Sequence, residues 1–320
     1  MMEIIKKLKG GSLSNTIVFS DCNKKFVRKS ISRNSDREYG LVRWQSQIRK
    51  LQLLNKYIPE STVAVSLAGH CDDFYFYDIP YYENSMNCVE ALLQGEPEEL
   101  IAEKVAIVLS KMAAIEFHSA PGSLALYISE EIRSPLSIAL KLANEDHLPL
   151  DCQELNSFKE EIFKAFSIVD KLLHQVKNLA VRESLTHGNL TLENMLWNPK
   201  SSEILLIDPY AETYCESIMG DVSQVFQSSI SGYEFISNLF ENQVYPICKY
   251  PIDEIPRCLT NFANYLTKTV ASESWYSEDY LTLFRASQFT RMFPFKLVSS
   301  PRQGVAFMFH GIKLLEGISC

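Results

Sequence analysis

The spacing of apolar residues changes near Pro80, and this change constrains the fold more than any other feature of the chain. Before Pro80, β-rich segments are separated by short turns, and one helix is predicted from an N-cap at Asp36 to about Tyr57. After Pro80, apolar residues recur every three to four positions, the period of a helix that packs one face on a core. The sequence therefore predicts an α+β protein, with a small β-rich N-terminal lobe (residues 1–82) that contains one helix and a larger, mainly helical C-terminal lobe (residues 83–320).

The boundaries of the predicted elements follow from the same patterns. The β segments are 4–9, 16–20, 25–31, 62–67 and 74–79, and the helices of the second lobe are 97–118, 155–179, 221–227, 255–267, 277–291 and 301–316. The order, strands first and helices afterwards, is typical of the α+β class.

Charge and composition exclude several classes of protein. Lysine and arginine number 31 against 39 aspartate and glutamate, which gives a net charge of −8 without a block of like charges. A basic surface for nucleic acid is therefore not expected. The N-terminus lacks the layout of a secretory signal, and no apolar run approaches the roughly 18 residues of a membrane helix. The eight cysteines are scattered, which favours free thiols in a reducing cytoplasm. No membrane partner is expected, and the oligomeric state stays open.

Several polar residues are concentrated on a predicted loop and hairpin between residues 185 and 209. His187, Asn189 and Asn194 lie on the loop, and Asp208 follows the apolar segment Ile204-Leu-Leu-Ile207. A buried strand that ends in a carboxylate delivers this group to a cleft, where Mg²⁺ binds protein oxygens together with water and phosphate oxygens. Taken alone, Asp208 with the following proline could be a simple turn, but together with the loop it predicts a metal site.

Four short motifs follow one another in an order that is typical of one enzyme family. They are Gly10-Gly-Ser-Leu-Ser-Asn15, His187-Gly-Asn-Leu-x-x-x-Asn194, Ile207-Asp-Pro209 and Gly220-Asp221. They resemble the glycine loop, the His-Gly-Asp-Leu-x-x-x-Asn catalytic loop, the metal-binding segment and the bracing aspartate of the aminoglycoside phosphotransferase and choline kinase-like family. The resemblance implies a bilobal protein-kinase-like fold. It also implies transfer of a phosphoryl group from ATP, with Mg²⁺, to a hydroxyl of a sugar, an amino sugar or an amino alcohol.

The resemblance further implies roles for single residues. Asn194 and Asp208 would hold the metal, Asn189 would contact the acceptor oxygen as the catalytic-loop residue, and His187 would brace the loop by hydrogen bonding. The residues expected at the nucleotide are Gly10, Gly11, Ser12 and Ser14 near the phosphates, Val27 at the adenine, Lys29 at the α- and β-phosphates, Gln45 as the partner of Lys29, and Ile79 and Tyr81 in the connection between the lobes.

Three alternatives to these assignments stay open at this point. The opposite strand phase would bring Arg28 instead of Lys29 to the phosphates, because neighbouring side chains of a strand point to opposite faces. The two glycines could form an ordinary hairpin turn. The tyrosines of the connection could be core residues.

Asn189 stands where the resembling family has an aspartate, and this difference bears on activity. A positioned carboxylate base contributes on the order of 10²–10⁴ in rate, and an amide cannot take up the hydroxyl proton. Three explanations compete: an introduced Asp→Asn replacement, an acceptor that is already ionised and needs no base, or a nucleotide-binding pseudokinase with a scaffolding or regulatory role. We expect an active or ancestrally active phosphotransferase, with the pseudokinase as the alternative.

A basic and aromatic stretch lies near the C-terminus. Arg285, Arg291 and Lys296 are interspersed with phenylalanines. The stretch is interpreted either as a solvated basic face or as a subsite for an anionic group of the phosphate acceptor, and the sequence leaves both interpretations open.

Overall fold

The protein consists of an antiparallel sheet with one long helix and a larger set of helices, as seen in a computed structural model that describes residues 3–8, 14–33, 37–117, 120–177, 179, 181–211, 213–236 and 250–318, with the backbone alone for residues 37–39. The chain forms two compact units, Met1–Ala91 with His187–Glu212, and Leu92–Thr186 with Thr213–Cys320. The predicted α+β class, with a small β-rich part followed by a larger helical part, is confirmed. The boundary expected after residue 82 stays a prediction.

The first unit is built on a five-stranded sheet in the order β1-β2-β3-β5-β4, in which all neighbours are antiparallel. Its strands are β1 (Glu3–Leu8), β2 (Ser14–Asp21), β3 (Lys24–Ser32), β4 (Leu67–His70) and β5 (Phe74–Pro80). β2 and β3 are joined by a two-residue turn, in which Cys22 and Asn23 have φ values of 48° and 61°. Positive values at both positions are those of a type I′ turn, which matches the twist of a β-hairpin.

One predicted strand is misplaced. The segment 62–67 was expected to be a strand, but β4 begins only at Leu67. Thr62 instead forms an isolated parallel bridge with Leu206, and the amide of Val63 lies 3.4 Å from the carbonyl oxygen of Leu206. The beginning of the segment therefore pairs with a distant part of the chain, and only its end reaches the sheet, where the amide of Ser66 donates to the carbonyl of Asp78 on β5 at 2.8 Å.

Helix α1 (Arg37–Tyr57) closes the core of the first unit. Ile48 and Leu51 of this helix are buried together with Val63, Tyr77 and Ile79. The indole of Trp44 stacks on the ring of Tyr75 at 5.4 Å, and its Nε1 donates to the carbonyl of Phe76 at 2.9 Å. The predicted end of this helix, at about Tyr57, is confirmed. The apolar residues at helical spacing, from which the helix was predicted, are those that pack against the sheet.

A second, smaller sheet carries the segment in which the polar residues were predicted. It has the order β10-β9-β6 and contains β6 (Met86–Asn87), β9 (Met195–Asn198) and β10 (Glu203–Leu206). β9 and β10 form an antiparallel hairpin in which Trp197 faces Ile204 and Met195 faces Leu206. These four side chains are buried, so the hairpin provides a rigid base for the residues on either side of it.

The other helices with bounds inside the described residues lie mainly in the second unit, which also contains a short strand pair, β7 (Glu116–Phe117) with β8 (Glu183–Ser184). They are α2 (Cys88–Leu93), α3 (Glu98–Ala113), α4 (Ser123–Ile128), α5 (Ser134–Asn144), α6 (Cys152–Val176), α7 (Ile218–Ser229), α8 (Arg257–Val270), α9 (Glu278–Thr290), α10 (Phe293–Ser299) and α11 (Pro301–Glu316). The structure confirms the predicted helices at 155–179, 221–227, 255–267, 277–291 and 301–316 with shifted ends. The helix predicted over 97–118 ends at Ala113, and α2, α4, α5 and α10 were not predicted.

Local chemistry sets some of these ends. The side chain of Asp151 accepts hydrogen bonds from the amides of Gln153 and Glu154 at 2.9 and 2.8 Å, and the side chain of Glu154 accepts from the amide of Asp151 at 3.0 Å. This reciprocal capping box satisfies amides that have no partner inside a helix, and α6 therefore begins at Cys152. Among the described residues, no helix is long and apolar enough to cross a bilayer.

Helices α9 and α11 approach each other closely at Gly311. A Cβ atom at this glycine would lie 2.9 Å from Cγ2 of Thr290 and 3.1 Å from the carbonyl oxygen of Ala286. The missing side chain thus permits a backbone-to-backbone contact that no other residue allows without movement.

Candidate functional site

The loop that begins at His187 is held by hydrogen bonds to the chain that leaves β10. Nε2 of His187 donates to the carbonyl of Ile207 at 2.9 Å, and the amide of Tyr210 donates to the carbonyl of His187 at 2.9 Å. Gly188 has a φ of 77°, a left-handed conformation that glycine adopts without the steric cost of a Cβ. The hydrogen bond expected of His187 is present, and it fixes the loop to the hairpin.

The environment of His187 keeps its imidazole neutral at pH 7. The residue is fully buried, and burial lowers its pKa from 6.5 to about 4, although the negative charge of Asp208 opposes this shift. A buried, neutral ring whose Nε2 is bonded to a carbonyl is not available as a proton carrier near pH 7. The histidine therefore positions the loop.

Asn194 links the loop to the hairpin a second time. Its Nδ2 donates to the carbonyl of Asn189 at 2.8 Å, and its own carbonyl accepts the amide of Ile207 at 3.0 Å. Among the described residues, nothing donates to its Oδ1. The amide oxygen of Asn194 is therefore left for a ligand, while the amide nitrogen has a structural role.

Asp208 lies at the centre of a polar cluster in the first unit. Its φ is 56°, in the left-handed region that aspartate and asparagine adopt more readily than most residues. Oδ1 accepts from the ammonium of Lys29 in a short ion pair and from Nε2 of Gln47 at 2.8 Å. No described residue donates to Oδ2. Because the side chain is 28% exposed, this second oxygen is the one left to a cation.

Lys29 and Arg28 have different partners in the structure. In β3 the side chain of Lys29 points towards Asp208, whereas Arg28 points to the opposite face of the sheet and forms a two-pronged ion pair with Asp78 at 2.7 and 2.8 Å. The guanidinium of Arg28 also lies 4.1 Å from the ring centre of Phe76, at which distance the ring face attracts a cation. Lys29 is thus the basic residue of the polar cluster, and Arg28 is part of the packing of the sheet.

Asn189 makes a contact that an aspartate could not make. Its Nδ2 lies 3.3 Å from the backbone carbonyl of Asp208, to which it donates. An ionised carboxylate has no proton to donate and would face this carbonyl oxygen with a negative charge. The amide at this position therefore helps to hold the left-handed backbone of Asp208.

The oxygen atoms of this cluster fit a magnesium ion that is carried by phosphates. The protein offers Oδ2 of Asp208 and Oδ1 of Asn194, one carboxylate and one amide. Among the described residues there is no group of three or more His, Cys, Asp or Glu side chains that could hold a metal ion alone. Mg²⁺ is commonly bound by one or two carboxylates and completes its shell with water and substrate phosphates. The residues present suit that mode and not a closed metal cage.

The other residues predicted at the nucleotide have different positions. Gly10, Gly11 and Ser12 lie outside the described residues, and Ser14 begins β2, where it is paired with Ile31. Val27 packs against the core of the first unit, as does Ile79, its register partner on β5. The amide of Tyr81 donates to the carbonyl of Lys25 at 3.0 Å, so the carbonyl of Tyr81 is the backbone group left for a ligand. Their nucleotide contacts stay predictions.

Gln47 of α1 donates to Asp208, whereas the sequence predicted Gln45 as the partner of Lys29, and that pairing stays a prediction. Two residues along a helix correspond to a rotation of about 200°, so the two glutamines lie on nearly opposite sides. Gln47 is 1% exposed and shares the buried stripe of Leu51 and Leu54. A polar residue within an apolar stripe is the signal that would have found it. Lys50, also buried, was missed as well, and its charge helps to lower the pKa of His187.

Comparison with known proteins shows what the fold is similar to. No protein-family profile and no curated protein matches the sequence. Among solved structures, the chain is similar to a protein from Haemophilus somnus 129PT assigned as a fructosamine-3-kinase, with a TM-score of 0.59 and 15% identity over 98% of this chain and 92% of that chain.

A second similarity is to a glucosamine kinase. The structure of that enzyme in complex with glucosamine, ADP and inorganic phosphate gives a TM-score of 0.54 and 11% identity over 98% of this chain and 93% of that chain. At these identities the similarity establishes a kinase-like α+β fold, with an antiparallel sheet in the first part and a larger helical part.

Proposed function

We propose that this protein is an ATP-dependent phosphotransferase that acts on a hydroxyl group of a small molecule, namely a sugar, an amino sugar or an amino alcohol. The observation that carries the proposal is the pair of Lys29 and Asp208, a buried ammonium and a carboxylate with one open oxygen. Asn194, which has an open amide oxygen, is bonded through its backbone to Ile207, the residue before Asp208. Phosphoryl transfer needs these groups for positioning and charge neutralisation more than it needs covalent chemistry. The fold shared with two sugar kinases supports the same reaction class.

Each residue of the cluster has a role in this proposal. Asp208 and Asn194 would hold Mg²⁺, and the bound ion would neutralise charge on the phosphates of ATP. Lys29 would contact the α- and β-phosphates, for which its ion pair with Asp208 must open. Gln47 would remain beside Asp208 and keep the carboxylate in place. Val27 and the backbone of Ile79 and Tyr81 would contact the adenine, and Gly10, Gly11, Ser12 and Ser14 the phosphates.

Asn189 would contact the acceptor oxygen with its amide. The residue supplies no base, so the acceptor hydroxyl must lose its proton to another group or to phosphate during transfer. Loose transition states of phosphoryl transfer place small demands on a base. Positioning by Asn189 and His187 is therefore compatible with turnover at a reduced rate.

A second candidate function is a nucleotide-binding pseudokinase with a scaffolding or regulatory role. The bond from Asn189 to the backbone of Asp208 favours it, because this asparagine has a structural function that does not depend on catalysis. Both candidates require ATP·Mg²⁺ to bind, and they differ in turnover. The cytoplasmic location and the lack of nucleic-acid and membrane partners, expected from the composition, stay predictions.

Thermal unfolding in the presence of ATP with and without Mg²⁺ tests the shared requirement. A ligand at 100 times its dissociation constant stabilises the folded state by about 2.7 kcal/mol, which is a shift of several degrees. The variants Lys29→Met and Asp208→Asn should lose this shift. The matched control Lys25→Met removes an exposed lysine of the same strand, which pairs with Glu83, and should keep it.

Turnover distinguishes the two candidates. Release of ADP is measured with a panel of glucose, glucosamine, fructosamines, ethanolamine and choline as acceptors. Phosphorylation of any acceptor that is lost in Asp208→Asn supports the phosphotransferase. Binding of ATP·Mg²⁺ without turnover supports the pseudokinase, and the absence of any thermal shift contradicts both.

A further inference from the structure

The five-stranded sheet of the first unit has two different faces. One face packs on α1 through Val27 and Ile79. Because neighbouring side chains of a strand alternate between the two sides, Phe26, Arg28 and Asp78 point to the other side, which we call the outer face. An antiparallel sheet with one face on a core usually has polar side chains on the other. The outer face instead carries apolar side chains from four strands, namely Ile17, Phe19, Phe26, Leu67, Phe74 and Phe76.

Contacts between rings join these side chains into a band across the outer face. The rings of Phe26 and Phe19 stack at 5.6 Å, and the guanidinium of Arg28 lies 4.9 Å from the ring centre of Phe19. The same guanidinium lies 4.1 Å from the ring centre of Phe76, whose ring is 6.2 Å from that of Phe74. Phenylalanine and arginine are residue types that protein interfaces favour. The band therefore has the composition of an interface.

Several side chains of the outer face are open to solvent. Leu67 is 53% exposed, and the rings of Phe26, Phe74 and Phe76 are half-buried. Contiguous apolar side chains that remain in contact with water mark sites of interaction on folded proteins. The outer face is therefore suited to a partner that covers it.

The register of the strands makes the outer face complementary to itself. One row across the sheet contains Ile17, Arg28, Asp78 and Leu67, in this order. A two-fold axis that runs along the strands between β3 and β5 places Arg28 of one copy over Asp78 of the other. The two ion pairs, each with bonds of 2.7 and 2.8 Å, then lie over one another with opposite polarity, so that every charge faces its opposite. The same axis places Ile17 over Leu67, which buries an aliphatic contact at each end of the row.

We propose that the outer face is the interface of a homodimer, in which the sheets of two copies pack face to face about this axis. The partner is a second copy because a two-fold interface must be complementary to itself, and the row through Arg28 and Asp78 has this property. Sheets that pack face to face keep their strands roughly aligned, as the axis requires. Lys29 and its partner Asp208 lie on the other side of the sheet, so the dimer is independent of the proposed function.

The size of the face predicts the strength of the dimer. The four strands from β2 to β4 overlap in this packing, and at a spacing of about 4.8 Å they span about 19 Å. The seven residues of β5 extend over about 24 Å. The two copies together bury on the order of 900 Å² in projection, near the lower limit of about 1,000 Å² for specific interfaces. We therefore expect a reversible dimer with a dissociation constant on the order of 10–100 µM.

Sedimentation equilibrium of the full-length protein tests the dimer. Over concentrations from about 1 to about 300 µM, which bracket the expected dissociation constant, the mass should rise from that of one chain towards two. Leu67→Glu places a carboxylate against Ile17 of the other copy and should weaken the dimer at least about tenfold. The matched control Leu93→Glu changes a leucine of similar exposure, 50%, on α2 and should dimerise like the parent. Ile4→Glu, on β1, which has no strand opposite it about this axis, should also dimerise like the parent.

A pair of changes tests the register of the interface. Ile17→Lys should weaken the dimer as Leu67→Glu does, because each variant places a charge opposite an apolar side chain. The double variant should dimerise again, since each new lysine faces a new glutamate of the other copy. Within one copy the two positions are three strands apart, about 14 Å, so that they cannot pair with each other.

The outcomes that overturn the dimer do not depend on the nucleotide. A parent protein that stays a single chain over the whole concentration range overturns the proposal and leaves the outer face to a different protein. Equal dimerisation of Leu67→Glu and Leu93→Glu overturns the assignment of the face, and a double variant as weak as the single variants overturns the axis. Thermal unfolding at about 1 µM, where the chain is expected to be monomeric, checks that each variant is folded. The thermal shift with ATP·Mg²⁺ on the same samples reports on the proposed function separately.

Discussion

The replacement Asn189→Asp is expected to raise turnover and to lower stability, and the two effects have separate physical causes. The new carboxylate can accept the proton of the acceptor hydroxyl, a contribution on the order of 10²–10⁴ in rate, which corresponds to about 3–5 kcal/mol of the barrier. The same change removes the donor that Asn189 offers to the backbone carbonyl of Asp208 at 3.3 Å. Aspartate at this position therefore favours turnover, whereas asparagine favours the stability of the loop.

The loss of stability can be estimated from the contact. One lost hydrogen bond corresponds to about 1 kcal/mol, and a buried carbonyl without a donor raises the cost to about 1–3 kcal/mol. Asn189 is only half-buried, so water can reach part of the site, and we expect a value at the lower end of this range. Repulsion between the new carboxylate and Asp208 acts in the same direction.

Urea denaturation measures the stability, and ADP release with the acceptor panel measures the rate. Asn198→Asp is the matched control, since Oδ1 of Asn198 only accepts, from the amides of Lys200 and Ser201, and aspartate keeps both bonds. A rate gain without loss of stability would show that the bond to Asp208 does not hold the loop. An unchanged rate with intact ATP binding would refute the assignment of position 189 to the acceptor and favour the pseudokinase.

Three further predictions concern the architecture. His187 has a pKa of about 4 in the folded state against 6.5 in the unfolded chain, so the unfolded chain binds more protons between these pH values. The free energy of unfolding should therefore fall by about 3 kcal/mol from this group as the pH drops through this window. Urea titrations at pH 7.5 and 4.5 should show a smaller fall for His187→Gln than for the parent. Arg28→Met should cost about 3–5 kcal/mol because Asp78 is left buried and unpaired, whereas Arg133→Met, which removes an exposed pair with Asp170, should cost less than about 1 kcal/mol; equal urea midpoints would contradict this. Gly311→Ala should lower stability by about 1–3 kcal/mol through overpacking against Thr290 and Ala286, while Gly95→Ala, at a position with open space but a φ of 88°, should lower it by only about 1–2 kcal/mol through backbone strain.

The first unit shows how far local patterns can predict a structure. Alternation along β3 predicted that Lys29 and Val27 share a face, and the structure places Lys29 at Asp208, because a strand has only two phases. For helix α1 it is harder to predict which residues face the sheet, since a helix can be rotated about its axis in small steps. The apolar side of the helix and the separation from Lys29 favour Gln45 as the partner of that lysine, whereas the glutamine that donates to Asp208 is Gln47, on the buried stripe of Leu51 and Leu54. The stripe of buried residues thus identifies the face of the helix that carries Gln47.

The parts that the sequence did not predict depend on contacts between distant residues. The segment 62–67 has the composition of a strand, but the backbone of its first two residues pairs with Leu206, more than a hundred residues away. The π-helical segment Ser129–Arg133 is fixed from outside, by the hydroxyl of Thr290 on α9. Neither contact leaves a periodic pattern in the sequence. The Nε atom of Arg291 is buried without a hydrogen-bond partner among the described residues. This too is a property of the packed structure, whereas the sequence left the arginine open between a surface residue and a subsite.

The ion pair between Lys29 and Asp208 has a consequence for the order of binding events. In the free protein each charge neutralises the other, so an incoming anion has to displace the aspartate, and an incoming cation has to displace the lysine. Nucleotide without metal would leave the carboxylate of Asp208 without a counterion, and metal without nucleotide would leave the ammonium of Lys29 without one. Only a ligand that brings both charges replaces the single ion pair by two, one between the metal and Asp208 and one between the phosphates and Lys29. Metal and nucleotide are therefore expected to enter as a single species, with little affinity for either component alone.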